Sequence, residues 1–306
     1  MSEATAPKYS GVFCPAITPF DESGRIDFTA AGELYDHLIR GGIDGIVVLG
    51  SIGEFQGIET EAARRLIRFA VDHVAGRCRV IAGTGGTVVA DVADRTRYAE
   101  EAGADAAMII PPYYAPVTDE GLLAHYGAIA TATTIDLLLY NFPGRAGYSI
   151  SPEVIGELAG RHERIVGLKD TVDSISHTRA VIAEVLPKRP DFGVLSGFDE
   201  YIFVNLLSGG AGTVNGLTNL FPGLFRRAFD AYTSDDIVTM REVQTALVGL
   251  MQLYTIAPNF VATFKYAASL IVPGVTAACA PPEVPLGEAH RDAVRALLGD
   301  LGSWQA

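Results

Sequence analysis

Ile165-Val166-Gly167-Leu168-Lys169-Asp170 is an apolar run of strand length that stops on an amine and a carboxylate. A run of this kind, without polar alternation, suits a parallel strand covered on both faces. One βα unit earlier, Leu137-Leu138-Leu139-Tyr140-Asn141 does the same and stops on a phenol. An ammonium inside such a strand must be paired or must lose its proton, because burial penalises the charged form. A neutral amine is a nucleophile, and a nearby phenol can move protons for it, so the two strand ends together suggest Schiff-base chemistry. Two plainer readings stand beside this one. Lys169 lies just clear of the strand and pairs with Asp170, and Tyr140 is a cap on its strand end.

Working outward, the same kind of run recurs at Val12–Thr18, Gly45–Gly50, Arg79–Gly83, Ala106–Ile110, Asp136–Asn141, Ile165–Asp170, Phe192–Ser196 and Gly212–Asn215. The spacing of roughly 20 to 34 residues is close to the minimum for a strand, a covering helix and two short loops. Helical signals fill the gaps. Between Glu61 and Val74 the apolar residues Leu66, Ile67, Ala70, Val71 and Val74 recur with a helical period, opposite Arg64, Arg65, Arg68 and Asp72. Ser151-Pro152-Glu153 reads as an N-cap, a first-turn proline and an acid that suits the helix dipole, and Thr118-Asp119-Glu120 opens the preceding helix in the same way. Eight such units without a long structureless insert predict an α/β fold, a closed (β/α)8 TIM barrel over residues 1–234. Residues 235–306 read as a C-terminal helical extension, with helices at Asp235–Ile256, Asn259–Ile271 and Leu286–Leu301.

Composition narrows the function. The 306 residues are 49% hydrophobic and 19% charged, which suits a large covered parallel sheet. A formal net charge of -13 argues against nucleic acid or an anionic membrane as partner, and not against a small anionic substrate. Cys14, Cys78 and Cys279 are widely separated, so neither a disulfide framework nor a zinc ribbon is expected. Met1 to Ser10 lacks the apolar core of a signal peptide and no later run reaches membrane-spanning length, so a cytoplasmic protein is expected. His37, His73, His125, His162, His177 and His290 form no HxH or HExxH arrangement, and no metal is expected. No GxSxG nucleophile elbow is present.

In a barrel, chemistry sits at the C-terminal strand ends and in the loops that follow. That places Ser51 and Glu54 after the second strand, Tyr113 and Tyr114 after the fourth, Tyr140 and Arg145 after the fifth, Lys169 at the sixth, and Asp199 and Glu200 after the seventh. Arg145 lies in Asn141-Phe142-Pro143-Gly144-Arg145-Ala146-Gly147, a loop stiffened by proline, where a guanidinium can receive a carboxylate bidentately or simply face solvent. Gly50-Ser51-Ile52-Gly53-Glu54 lets backbone N–H groups approach a small anion. Gly83-Thr84-Gly85-Gly86-Thr87 lacks GxGxxG order and reads as a tight βα turn.

Gly50-Ser51-Ile52-Gly53-Glu54, Pro112-Tyr113-Tyr114, Tyr140-Asn141-Phe142-Pro143-Gly144-Arg145 and Gly167-Leu168-Lys169-Asp170 resemble, in order and spacing, the dihydrodipicolinate synthase/N-acetylneuraminate lyase family. The resemblance spans nearly the whole chain. It implies a class I lyase without metal or other cofactor, in which Lys169 forms a covalent imine with pyruvate or another 2-oxo acid. It implies Tyr140 as the proton-transfer residue and Ser51 as the hydroxyl linking it to Tyr114, which in the family reaches in from a neighbouring subunit. A homo-oligomer, dimer or tetramer, is therefore expected. The oxo-acid carboxylate would rest on backbone N–H groups around Ser51 and Ile52.

Substrate signals point two ways. Dihydrodipicolinate synthases typically carry two threonines where this chain has Ser51-Ile52, whereas Arg145 matches the arginine with which those synthases hold a carboxylate. The stretches around Leu49–Phe55 and Gly167–Ser174 resemble the 2-keto-3-deoxygluconate aldolase subgroup, and Gly197-Phe198-Asp199-Glu200 resembles the segment with which sialic-acid lyases contact substrate hydroxyls. Asp199 and Glu200 also suit a helix cap. Expected substrate contacts are Ile52, Arg145, Gly197, Asp199, Glu200 and Asn215. The leading expectation is an aldolase for a 2-keto-3-deoxy sugar acid. The alternatives are a dihydrodipicolinate synthase, a sugar-acid dehydratase using the same imine, and a non-catalytic oxo-acid-binding protein.

Overall fold

The computed structural model describes residues 6–300. The part of Met1 to Ser10 before residue 6, and Leu301 at the end of the last expected helix, lie outside the described residues. Eight strands, β1 (Gly11–Pro15), β2 (Gly45–Val48), β3 (Arg79–Gly83), β4 (Ala106–Ile109), β5 (Asp136–Asn141), β6 (Ile165–Asp170), β7 (Gly193–Ser196) and β8 (Gly212–Val214), close in that order into a barrel. Helices follow the strands, and further helices occupy the C-terminal part. β3, β5 and β6 have the bounds expected from sequence, while β2 stops at Val48 rather than Gly50 because Leu49 turns to φ 59, which ends extended pairing. β1 stops at Pro15 and β8 at Val214, each short of its expected end.

Two compact units make up the chain. The first joins the chain up to Gly11 with Ile81–Val214. Leu137 and Leu139 of β5, Ile165 and Leu168 of β6 and Val194 of β7 pack in one buried cluster with Leu122 and Tyr126, Val154 and Leu158, and Val181 and Val185 of the covering helices. Alternation along the strands therefore puts Leu138 and Tyr140, and with them Lys169, on the face turned away from the helices. Between β5 and β6 the register jumps from Leu137↔Ile165 to Leu138↔Gly167, a bulge that leaves Val166 unpaired and brings Tyr140 opposite Lys169. Without that extra residue Tyr140 would face Leu168 in register, and the amine would point into the helix layer. Gly167, the first paired residue after the bulge, also lets β7 approach closely, since a Cβ there would meet the Gly193 carbonyl oxygen at 2.9 Å.

The second unit joins Val12–Val80 with the chain from Asn215 onward. The buried Asn219 side chain accepts from Ile17 N at 3.0 Å and donates to Pro15 O at 2.9 Å, satisfying the backbone where β1 ends. In the C-terminal part the helices run Ile237–Leu250, Phe260–Ile271 and Glu288–Asp300, with a 3-10 turn at Met251–Tyr254 completing the first. The first begins two residues later than expected because Asp235 has φ 56 and Asp236 takes the cap, accepting from Thr239 N at 3.1 Å. Asn259, Ser151 and Thr118 are N-caps, the latter two as the sequence predicts. Among the described residues no helix is long and apolar enough to cross a membrane.

Candidate active site

In the first unit, Lys169 Nζ lies over the Tyr140 ring, 4.4 Å from its centroid, and both residues are buried at 4% exposure. Phe142 packs beside Tyr140 with ring centroids 5.9 Å apart. Asp170 does not pair with Lys169. One residue further along the strand, it turns to the opposite face, where Oδ1 accepts from Asn141 Nδ2 at 2.9 Å and Oδ2 accepts from Thr178 Oγ1 at 2.7 Å and faces His177 Nδ1 at 3.0 Å. The plainer sequence reading of Lys169 as the salt-bridge partner of Asp170 therefore fails, and strand alternation is the reason. Among the described residues no carboxylate pairs with the Lys169 amine. An amine at a strand end with no carboxylate beside it is placed to attack a carbonyl once it is neutral.

Other candidates of this unit surround the same strand ends. Tyr114 follows β4, has φ 80 and is 99% exposed. Arg145 sits not in an irregular loop but in a one-turn helix, Pro143–Ala146, started by Pro143 and stopped by Gly147 at φ 87, and its side chain is exposed. Gly197 follows β7 and lies so close to Thr171 that a Cβ would stand 1.9 Å from Thr171 Oγ1. That hydroxyl is buried without a hydrogen-bond partner among the described residues, two positions past Lys169 and just beyond the end of β6. Sequence reading missed it. Asp199 is buried at the start of the turn Asp199–Tyr201, and Glu200 beside it is partly exposed.

In the second unit, the turn after β2 is bracketed by two non-glycine residues in the left-handed region, Leu49 at φ 59 and Glu54 at φ 57. Such residues persist only where surrounding contacts over-determine them. Here Gly53 N donates to Gly50 O at 3.0 Å, and Thr18 Oγ1 donates to Gly53 O at 2.7 Å. The Glu54 carboxylate is sealed at 1% residue exposure, where Oε1 accepts from Ala280 N at 2.8 Å and Oε2 pairs with Lys265. Lys265 in turn donates to Ala278 O at 2.8 Å, with its Nζ 4.0 Å from the Phe20 ring centroid. Burial raises the Glu54 carboxyl above its ordinary range and lowers the Lys265 ammonium, each against the pull of the other's charge. This pair fixes the turn that carries half-buried Ser51 and buried Ile52. The Ile52 side chain reaches the segment after β8, within 3.3 Å of where a Cβ on Gly216 would stand, and the preceding Asn215 is buried and accepts from Thr218 Oγ1 at 2.6 Å. Among the described residues no group of three or more His, Cys, Asp or Glu side chains is arranged to hold a metal ion.

Comparison with known proteins agrees with this geometry. Residues 8–301 match the model of the dihydrodipicolinate synthetase family. YagE of Escherichia coli strain K12, provisionally named a 2-dehydro-3-deoxy-D-gluconate aldolase, is 34% identical over 293 residues, covering 96% of this chain and 97% of YagE. A 4-hydroxy-tetrahydrodipicolinate synthase of Rhodospirillum centenum is 36% identical over 298 residues, covering 96% of this chain and 99% of its own. The crystal structure of YagE in complex with pyruvate superposes with a TM-score of 0.94 at 34% identity, over 96% of this chain and 99% of that one. The strand order, the paired Tyr140 and Lys169 and the near-complete match together lead to one conclusion: the chain belongs to the dihydrodipicolinate synthetase family.

Proposed function

We propose that the protein is a metal-independent, pyruvate-dependent class I aldolase that cleaves or forms a 2-keto-3-deoxy sugar acid through an imine on Lys169. The observation that carries this reading is the Lys169 amine lying over the Tyr140 ring with no carboxylate partner among the described residues. In the cleavage direction the neutral amine attacks the C2 carbonyl. The Tyr140 hydroxyl gives its proton to the departing carbinolamine hydroxyl, which leaves as water and gives an iminium. The resulting phenolate takes the proton of the C4 hydroxyl as the C3–C4 bond breaks, the electron pair passing into the iminium and the aldehyde leaving. Protonation of the enamine at C3 and hydrolysis of the imine then release pyruvate and restore the amine. Because both residues sit on one face of neighbouring strands in register, the proton donor and the electron sink are held before substrate arrives.

In this reading the turn after β2 receives the substrate carboxylate on backbone N–H groups around Ser51 and Ile52, and Ser51 relays protons between Tyr140 and Tyr114. The near-complete exposure of Tyr114 supports its reaching into a second copy of the chain, in a homodimer or homotetramer. Asp199, Glu200 and Asn215 meet hydroxyls of the sugar acid, with Gly197 leaving room beside them. Arg145 holds a distal carboxylate or hydroxyl. Residues 1–234 supply the catalytic barrel and 235–306 the helical extension, in a protein of the cytoplasm.

Ile52 supports a sugar acid over aspartate semialdehyde, since it puts an apolar side chain where the synthases typically have a second threonine hydroxyl. A dihydrodipicolinate synthase is the second reading, favoured by Arg145 and by the similarity to the Rhodospirillum centenum synthase. Steady-state kinetics with a panel of 2-keto-3-deoxy sugar acids, beside condensation of pyruvate with aspartate semialdehyde, separate the two. The aldolase reading expects the higher kcat/KM on a sugar acid. Efficient condensation with no sugar-acid turnover makes Arg145 the better guide and overturns it.

A further inference from the structure

Behind the Tyr140–Lys169 pair, on the helix-facing side, lies a closed ring of hydrogen bonds that the imine chemistry does not use. Asn141 and Asp170 are in register, each one residue past its catalytic neighbour. Asn141 Nδ2 donates to Asp170 Oδ1 at 2.9 Å, and Asn141 Oδ1 accepts from Ile150 N at 3.0 Å. Ile150 O faces His177 Nε2 at 2.9 Å, and His177 Nδ1 faces Asp170 Oδ2 at 3.0 Å, which closes the circuit. Ser149 Oγ lies 3.1 Å from Asn141 Nδ2 and 3.4 Å from His177 Nε2. The ring ties together the ends of β5 and β6, the segment after the one-turn helix of Arg145, and the first turn of the helix Ile175–Val185.

A carbonyl oxygen and a carboxylate oxygen can only accept, so both contacts are satisfied at once only when both imidazole nitrogens carry a proton, as in the imidazolium. We propose that His177, held as an imidazolium between Asp170 and the Ile150 carbonyl, is a positioning residue that keeps Tyr140 and Lys169 in register for imine chemistry. The proposal rests on the aldolase reading of that pair. Losing either proton sets a lone pair against an acceptor and opens the ring on one side. The β5 and β6 ends are then joined at this level by the Asn141–Asp170 bond and the strand ladder alone.

The charges around His177 agree. Burial by itself would lower its proton affinity, but the hydrogen bond and negative charge of Asp170 on β6, with Glu153 on the helix Pro152–Arg161 adding to the field, raise it above the ordinary value. For a histidine raised in the folded state, the stabilisation is complete below the ordinary value near 6.5 and fades as pH rises through the raised one. The positioning effect is therefore an acid-side property, lost as pH rises through the raised value.

The experiment is the rate of borohydride-trapped pyruvate adduct at Lys169 against pH, in the wild type and in His177→Gln, which cannot titrate. The proposal expects the wild type to be faster by about tenfold or more on the acid side, as for other losses of alignment, with the ratio falling toward one at alkaline pH. Nitrogen NMR of the wild type at pH 6.5 should show both His177 ring nitrogens protonated, a reading independent of how the variant folds. A ratio constant with pH, or a neutral His177 tautomer at pH 6.5, overturns the proposal. Absence of any adduct in the wild type overturns the aldolase reading and this proposal with it, whereas trapping with a flat ratio overturns this proposal alone.

Discussion

Replacing Lys265 by methionine keeps most of the side-chain volume and removes the charge opposite Glu54. The structure sets the size of the effect. Both side chains are sealed from solvent, at 0% and 2% exposure, so no water can take over when the amine goes. A carboxylate stranded in that position costs about 3 to 5 kcal/mol, the range for breaking one half of a buried pair. Glu54→Gln should cost a comparable amount, because it leaves the ammonium unpaired, although the glutamine oxygen can still accept from Ala280 N. The double variant has no buried charge left, so it should cost no more than either single variant, which makes the interaction energy in a double-mutant cycle at least about 3 kcal/mol. Urea midpoints at unchanged slope are the assay. Since the pair also holds Glu54 at φ 57 at the end of the Ser51–Ile52 turn, the single variants should lose kcat as well as stability. If the two single substitutions each cost under about 1 kcal/mol and simply add, the turn is held by something else and the argument fails.

Tyr140→Phe keeps the ring under the amine and removes the hydroxyl, so turnover should fall by roughly 10² to 10⁴ with thermal stability little changed; wild-type kinetics would make the phenol a strand cap. Gly167→Ala forces a Cβ to 2.9 Å from the Gly193 carbonyl oxygen, so it should cost about 1 to 3 kcal/mol and slow adduct formation at Lys169; a neutral result in both would detach the close approach of β7 from function. His125 is buried with neither ring nitrogen bonded among the described residues, and burial lowers it to about 4. The folded state resists its protonation, so stability should fall as pH drops from about 6.5 to 4, by up to about 3 kcal/mol. His125→Leu should flatten that part of the stability–pH curve, and an unchanged acid limb would contradict the assignment.

The barrel was legible because eight apolar runs of similar length recur at near-minimal βα spacing, and a parallel sheet buried on both faces leaves little other sequence pattern. Lys169 and Tyr140 were legible for the same reason, as polar groups that end runs which otherwise admit none. Their ending consecutive strands also brought them together, but the register that sets one directly opposite the other was not legible. It depends on the bulge at Val166, whose sequence sign, a lone glycine inside a strand, marks only that a backbone approaches closely somewhere. His177, one of six histidines without a metal-ligand pattern, and Thr171, inside the Gly167–Ser174 stretch, carried no role in the sequence. Their partners, Asp170 and Ile150 for one and Gly197 for the other, come from segments that only the fold brings together. The Glu54–Lys265 pair joins positions more than two-thirds of the chain apart, beyond any local pattern.

The central claim is that Lys169 carries the covalent imine. Incubation with pyruvate and borohydride, followed by peptide mass analysis, should place one reduced pyruvyl group on the peptide containing Lys169, and Lys169→Ala should abolish it. Lys265, the other buried lysine in an apolar setting, should remain unlabelled in both proteins. Labelling that survives Lys169→Ala, or that falls on Lys265, contradicts the account.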